Sequence, residues 1–231
     1  MKITQNGVNR IKRRGFTLLE LLVTVTIIAA LSAISMPFAP ALFKSNQVEQ
    51  GVLAIAGTLE QARQHAVTHN TYVWVAFMPA PADKPQNGAT MIVVESRGGI
   101  DTLNWSTDAV ALKGHADLNV VGPVRSLPGM QIADAGSVSV PNLPASGSTS
   151  SSSLQPVQML LPYAAGGNLT FSRAVQFTPD GRARVQSYTS QIELGLKPSF
   201  GASSSTSTAA VNVAVLRLGS LTGKIKVYRP S

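Results

Sequence analysis

The stretch that decides the fold is RIKRRGFTLLELLVTVTIIAALSAISMPFAPALF, residues 10–43. A basic patch ends at Gly15, one acid follows at Glu20, and residues 21–43 contain no charged side chain. As a helix rising about 1.5 Å per residue, this run is long enough for a hydrocarbon core of roughly 30 Å. A carboxylate is costly in apolar surroundings unless it is paired, so Glu20 is expected to have a partner.

Charge on the two sides of the run predicts its orientation. Five basic residues and no acid precede Phe16, whereas Lys44 is the one basic residue close behind the run. Because positive charge is retained on the cytoplasmic side, the N-terminus is expected in the cytoplasm and the rest of the chain outside. The sequence therefore predicts a single membrane crossing.

Two simpler interpretations of this segment remain open. A cleavable signal peptide would explain the basic start, but its apolar region would be only about 7–15 residues long and would not include Glu20. The A-x-A match at the end of the run, Ala39 to Ala41, also has Pro40 at its centre. A plain single-pass anchor agrees with the hydropathy, but it does not explain the short spacing between Gly15 and the acid.

The sequence RRGFTLLELL resembles the prepilin signature of type IV pilins and type II secretion pseudopilins. The shared features are a basic leader, a glycine, a phenylalanine, and a glutamate as the fifth residue after the glycine. The resemblance implies that a prepilin peptidase cuts between Gly15 and Phe16 and that the new amine of Phe16 is N-methylated. Residues 1–15 would then be a cleaved leader.

The resemblance also supplies a role for Glu20. Cleavage would leave an ammonium on Phe16, and an amine and a carboxylate attract strongly where the dielectric constant is low. In the family, such a pair is thought to form between neighbouring pilin or pseudopilin subunits, so Glu20 is expected to act in assembly. Pro37, the twenty-second residue after the cut, corresponds to a helix-loosening proline. Alternatively, Pro37 and Pro40 together end the membrane helix.

A second helical pattern follows the membrane segment. Apolar residues recur at helical spacing between residues 48 and 66 while polar residues occupy the other faces, so residues 44–70 are predicted to continue as an amphipathic helix. Asn70 is its expected end. His65 and His69 have a spacing that can bind zinc, but with no third ligand evident a solvated helix face is preferred to a metal site.

Residues 71–231 are expected to form a β-rich domain. Strands are predicted at 72–77, 90–95, 174–177, 191–196, 211–218 and 224–228, and short turns between them favour antiparallel hairpins. Trp74, Phe77, Phe171 and Phe177 are the predicted core aromatics. Ser-rich segments at 136–153 and 199–210 are predicted to be surface loops. The fold class is therefore α+β and pilin-like, with a long N-terminal helix, membrane-spanning over 16–43, packed on a mainly antiparallel β domain.

Three later stretches resemble the GspH/FimT group of minor pilins and pseudopilins: LEQARQHAVTHNTYVWVAF, VQFTPDGRARV and LTGKIKVYRP. This resemblance implies a subunit of the type II secretion pseudopilus, held in the inner membrane with its β domain in the periplasm. Its partners would be other subunits and a secretion or pilus assembly platform. The alternative is a FimT-like minor pilin of a type IV pilus.

Some FimT-like members capture DNA through a Gly-Arg-x-Arg pattern in the terminal strand. Here Lys224 and Lys226 occupy the corresponding positions, and Arg182 with Arg184 form a similar run in the preceding turn. Alternating basic residues on a strand share one face, which makes nucleic acid an alternative partner. The other interpretation is a basic edge strand whose charges prevent aggregation.

Composition argues against several other classes of protein. The net charge of +8 falls to +3 without the leader, because 14 basic and 11 acidic residues remain. The C-terminal third stays basic, since residues 160–231 contain 8 basic and 2 acidic residues. The absence of cysteine excludes disulfides, thiolate metal sites and a cysteine nucleophile. No P-loop, dinucleotide-binding, metalloprotease or nucleophile-elbow motif is present, so neither enzymatic activity nor a cofactor is expected.

Overall fold

The computed structural model describes residues 17–35, 39–80, 87–101, 118–138, 140–141, 143–144, 151–153, 155–162, 168–185, 189–199 and 212–230. The chain divides into two compact units, Met1–Leu42 and Phe43–Ser231. Gly15, Phe16 and Pro37 lie outside the described residues, as does all but Ser199 of the predicted loop at 199–210.

Two helices precede the sheets: α1, Leu18–Ser35, and α2, Ala39–His69. The sequence predicted a helix over 16–43 that continued through 44–70. Within the described part of the chain, neither helix combines the length and hydropathy needed to cross a membrane. The crossing by residues 16–43 therefore stays a prediction.

The end of α2 was predicted at Asn70, and the structure confirms it. Asn70 has φ 50°, in the left-handed region that asparagine tolerates better than most residues. The N–H of Thr71 donates to the carbonyl of Ala66 at 3.1 Å, which satisfies a carbonyl of the last turn. The chain then enters the first strand without a long loop.

In the described part of the chain, twelve strands follow α2, and they form two sheets. Their bounds are β1 Val73–Met78, β2 Ala89–Ser96, β3 Leu118–Val120, β4 Arg125–Leu127, β5 Met130–Ala133, β6 Ser151–Ser153, β7 Gln155–Pro162, β8 Asn168–Phe177, β9 Ala183–Arg184, β10 Gln191–Pro198, β11 Ala214–Gly219 and β12 Ile225–Tyr228. Sheet one has the order β3-β2-β1-β8-β7, with β4 on β2 and β9 on β8. Sheet two has the order β12-β11-β10-β5, with β6 on β10. All these pairs are antiparallel except β6 with β10, so the mainly antiparallel prediction is confirmed.

The apolar stripe of α2 packs into a core shared with both sheets. Its members are buried as the sequence predicted: Val48, Val52, Ile55, Leu59, Ala62 and Ala66. They join Val75 and Phe177 of sheet one and Leu194 and Leu216 of sheet two in one cluster. Burial of such a stripe, at about 25 cal/mol per Å² of apolar surface, is the main source of stability for a helix on a sheet. A second cluster, with Trp74 and Phe171, covers the opposite face of sheet one.

Two parts of the sequence prediction needed correction. Ser151–Ser153, in the Ser-rich segment predicted as a loop, form β6, and Ala135–Ser137 at its start form a short 3-10 helix. Five other strands, β3, β4, β5, β7 and β9, were not predicted. Strands β3, β4, β5 and β9 have two to four residues, too few to show an alternating pattern, and their position is set by the neighbours with which they pair. Strand β7 has eight residues, but it contains Pro156 and Pro162, and proline is depleted in strands.

Candidate functional site

The first candidate site is the N-terminal turn of α1. The hydroxyl oxygen of Thr17 accepts a hydrogen bond from the backbone N–H of Glu20 at 3.2 Å. Thr17 therefore caps the helix, and Glu20 is its third residue, where an acid interacts favourably with the positive end of the helix dipole. The spacing Thr-x-x-Glu is a capping-box signature that the sequence analysis missed. Glu20 is exposed, so its carboxylate is accessible to another group.

The body of α1 presents apolar side chains to its surroundings. Leu18 is 87% exposed and Ile28 is 63% exposed. Its polar side chains bond within the helix: Thr24 to the carbonyl of Leu21 at 2.9 Å, and Ser32 to that of Ile28 at 2.8 Å. Hydroxyl groups satisfied in this way are tolerated in apolar surroundings. The described surface of α1 is thus suited to apolar contacts with other chains or lipid.

Two hairpin turns of the second unit meet on α2, and each is followed by two of the basic residues singled out in the sequence. Gly181 (φ +79°) and Gly223 (φ +63°) both occupy the left-handed region that favours glycine. A Cβ on Gly223 would lie 2.7 Å from the Gly181 carbonyl oxygen and closer still to Cδ of Arg63. The N–H of Ala183 donates to the Ser220 carbonyl at 2.8 Å, which joins the two turns. These glycines are needed for packing, a role that the sequence analysis did not assign.

Arg63 is held in place by its own helix. Its guanidinium donates to both carboxylate oxygens of Glu60, at 2.7 and 3.2 Å. This hydrogen bonding lowers the pKa of Glu60 and raises that of Arg63, although burial opposes both shifts. The side-chain stem of Arg63 is thereby fixed against Gly223.

The two arginines of the first turn are engaged with acids. Arg182 forms an ion pair with Asp180 at 2.8 Å. The hydroxyl of Thr178 also donates to Asp180, and this bond, with the charge of Arg182, lowers the pKa of the carboxyl. Arg184 forms an ion pair with Asp101 and donates to Gln176. Neither arginine lies beside Lys224 and Lys226, which line a separate groove.

Lys224 and Lys226 lie together on a different surface, which we call the lysine groove. Both are exposed and line a groove of about 320 Å³. The other lining residues are Gln191, Arg217, Gly219, Thr222 and Tyr228. Among the described residues, neither lysine forms an ion pair, so both charges face the groove without a protein counterion.

Arg217, in the wall of the groove, is already neutralised. It forms a 2.6 Å ion pair with Glu193, and the two side chains are only 8% and 11% exposed. A second bond runs from Arg217 to the Pro144 carbonyl at 2.9 Å, and its guanidinium lies 5.2 Å from the centre of the Tyr228 ring. Arg217 therefore shapes the groove while the lysines supply its net charge.

The histidines of α2 take part in a different contact. His65 Nε2 lies 2.7 Å from Glu95 Oε2 on β2, and the His65 and His69 rings stack with centroids 4.0 Å apart. In the part of the chain that the structure describes, no group of three or more His, Cys, Asp or Glu side chains is arranged to hold a metal. The pair links α2 to sheet one.

Comparison with known proteins identifies the N-terminal segment. No curated protein and no solved structure matches the chain. The family model described as "Prokaryotic N-terminal methylation motif" matches residues 10–36, a range that includes Gly15, Phe16, Glu20 and all of α1. Residues 10–36 therefore carry a type IV prepilin-like signal, which indicates a type IV pilin-like protein.

Proposed function

We propose that this chain is a minor pseudopilin of the GspH/FimT type, a structural subunit of the type II secretion pseudopilus. The observation that carries the proposal is the methylation motif at residues 10–36, which contains α1 and its exposed apolar side chains. A mainly antiparallel domain packed on a second helix follows, in the order expected for a pilin-like subunit. The subunit acts mechanically, by packing with other subunits during protein secretion, and catalyses no reaction.

The proposed location is the inner membrane, with the N-terminus in the cytoplasm and the β domain in the periplasm. The uncharged run of residues 21–43 and the five basic residues before Phe16 support this orientation. Prepilin peptidase would cut between Gly15 and Phe16 and methylate the new amine. The processed chain would then begin one residue before the cap at Thr17.

The geometry of α1 supports the assembly role of Glu20. The Phe16 ammonium would precede the positive end of the α1 dipole, where a positive charge is disfavoured. The carboxylate of Glu20, one turn into the helix, is exposed, and its negative charge offsets the positive charge of the ammonium. We propose that the carboxylate of one subunit pairs with the ammonium of its neighbour, because filament packing removes water from both groups.

The alternative function is a FimT-like minor pilin of a type IV pilus that captures DNA. The observation in its favour is the lysine groove, in which Lys224 and Lys226 are without ion pairs among the described residues. The engagement of Arg182 with Asp180 and of Arg184 with Asp101 weighs against a four-cation DNA site. Secretion is therefore the preferred function.

Gene deletion and complementation in the native bacterium distinguish these functions. Deletion should reduce type II secretion of exoproteins, the intact gene should restore it, and a Glu20→Gln gene should not. Natural transformation should be unchanged by the deletion. Normal secretion combined with lost DNA uptake would refute the pseudopilin proposal and support DNA capture.

A further inference from the structure

Strand β12 forms one edge of sheet two. In the described part of the chain it pairs with β11 alone, with Lys226 opposite Arg217 and Ile225 opposite Leu218. The Gly219 N–H donates to the Lys224 carbonyl at 2.9 Å, so this pair is hydrogen-bonded. Because bonded and non-bonded pairs alternate in antiparallel strands, the N–H and C=O groups of Ile225 and Val227 point toward the outer edge.

The two faces of this edge differ in chemistry. Successive side chains alternate between faces, so Lys224, Lys226 and Tyr228 share the face of the lysine groove. Ile225 and Val227 lie on the other face, where Ile225 packs against the main core and Val227 is 42% exposed. The edge therefore presents cations on one face and an uncovered apolar side chain on the other.

The lysine groove has an excess of positive charge and one polar atom without a hydrogen-bond partner among the described residues. Gln191 lines the groove, and its Oε1 is buried without a partner among the described residues. With Arg217 paired to Glu193, the groove has two cations not neutralised by an ion pair in the described structure. A chain carrying carboxylates would supply the missing countercharge, because opposite charges on adjacent strands attract across the pair.

We propose that β12 is a docking edge for an extended acidic segment of a partner protein, which adds to sheet two as a further strand. Its backbone would bond to Ile225 and Val227, as in recognition by strand addition. Its acidic side chains would alternate with apolar ones, the acids facing Lys224 and Lys226 and the apolar residues covering Val227. A partner segment is therefore recognised by acidic residues that alternate with apolar residues in its sequence.

The outer edge of β12, which is unpaired among the described residues, favours a protein over a nucleic acid as the partner. A phosphate chain would neutralise the lysines, but it would leave the row of N–H and C=O groups at Ile225 and Val227 unpaired. It would also leave Val227 uncovered on the opposite face. If the lysines served only to protect the edge from aggregation, β12 would bind no further strand.

Binding of short labelled peptides to the full-length protein in detergent micelles tests the proposal. The probes are a peptide alternating glutamate and valine, the same peptide with lysine for glutamate, and a single-stranded oligonucleotide, all followed by fluorescence anisotropy. The glutamate peptide should bind, and the lysine peptide should bind at least about tenfold more weakly. Binding of the oligonucleotide without the glutamate peptide, or equal binding of the two peptides, would overturn the proposal.

Two matched variants separate backbone pairing from charge. Val227→Pro removes the outward N–H and leaves the bonds to β11 intact, whereas Val227→Thr keeps that N–H. Proline should weaken glutamate-peptide binding by about tenfold and threonine by much less. Unchanged binding by the proline variant, with an unchanged thermal midpoint, would refute strand addition. Replacing Lys224 and Lys226 by glutamate should reverse the preference between the two peptides, and because peptide binding does not require a filament, this result is independent of the secretion proposal.

Discussion

The carbonyl oxygen of Gly181 lies against Gly223, so close that a Cβ on the second glycine would approach it to 2.7 Å. The contact joins the β8–β9 turn of sheet one to the β11–β12 turn of sheet two. Both turns rest on α2, beside Arg63 and Val67. The close approach of the two turns therefore requires a residue without a side chain at position 223.

Substitution of Gly223 should destabilise the β domain strongly. Gly223→Ala places a residue with φ +63° in the left-handed region and forces its Cβ against Arg63 and Gly181. We expect a loss of about 3 kcal/mol in the free energy of unfolding, the sum of backbone strain and overpacking. Urea unfolding followed by circular dichroism measures this value.

Gly57 provides a matched control for that experiment. It lies in α2, and a Cβ added to it would have no neighbouring atom within 4 Å. Gly57→Ala should stabilise the domain by about 0.5–1 kcal/mol, because alanine loses less backbone entropy in a helix. Equal effects of the two substitutions would contradict the proposed packing role of Gly223.

Removal of one member of the buried Arg217–Glu193 pair should also be strongly destabilising. Arg217→Met leaves the Glu193 carboxylate without its 2.6 Å partner and should cost about 3–5 kcal/mol. Arg182→Met, which breaks the half-exposed pair with Asp180, should cost about 1 kcal/mol or less. If the two losses in unfolding free energy were similar, burial would not be the deciding factor.

The carboxyl of Asp180 should make stability depend on pH. The Thr178 hydroxyl bond and the charge of Arg182 lower its pKa in the folded state below the unfolded value of about 3.9. The stabilisation is therefore present above that unfolded pKa and is lost as pH falls through the folded pKa. Wild type should exceed Asp180→Asn in thermal midpoint at neutral pH, and the difference should shrink at a pH of about 3. A difference that grew with acid would have the wrong sign.

Variants of Thr17 and Glu20 separate helix capping from assembly. Glu20→Gln keeps a residue suited to the capping box but removes the charge, whereas Thr17→Val removes the oxygen that accepts the Glu20 N–H. Thr17→Val should lower helix stability by about 1 kcal/mol and leave filament incorporation intact. Glu20→Gln should retain helicity but lose incorporation into sheared filaments. Normal incorporation of Glu20→Gln would assign the acid to capping alone.

The sequence predicted the elements whose side chains repeat regularly. The stripe from Val48 to Ala66 has helical spacing, and the predicted core aromatics, including Trp74 and Phe177, are buried. Long strands such as β2 and β10 were predicted within two residues because β-branched and apolar residues fill them. Local pattern was sufficient for these parts.

The remaining features depend on contacts between distant parts of the chain. Ser151–Ser153 have no strand-like composition and become a strand because they pair with Gln191–Glu193 of β10. Arg217 and Glu193 were unremarkable in the sequence and meet because β10 and β11 are neighbours. The separation of Lys224 and Lys226 from the two arginines likewise follows from the arrangement of the hairpins, which spacing alone does not reveal.

The mass and N-terminal residue of the protein purified from its native membrane test the central claim most directly. Prepilin processing predicts a chain that begins at Phe16 with one added methyl group on its amine, and that lacks residues 1–15. A chain that retains Met1, or one that begins near Ala41, would contradict the account and exclude a Phe16 ammonium as the partner of Glu20.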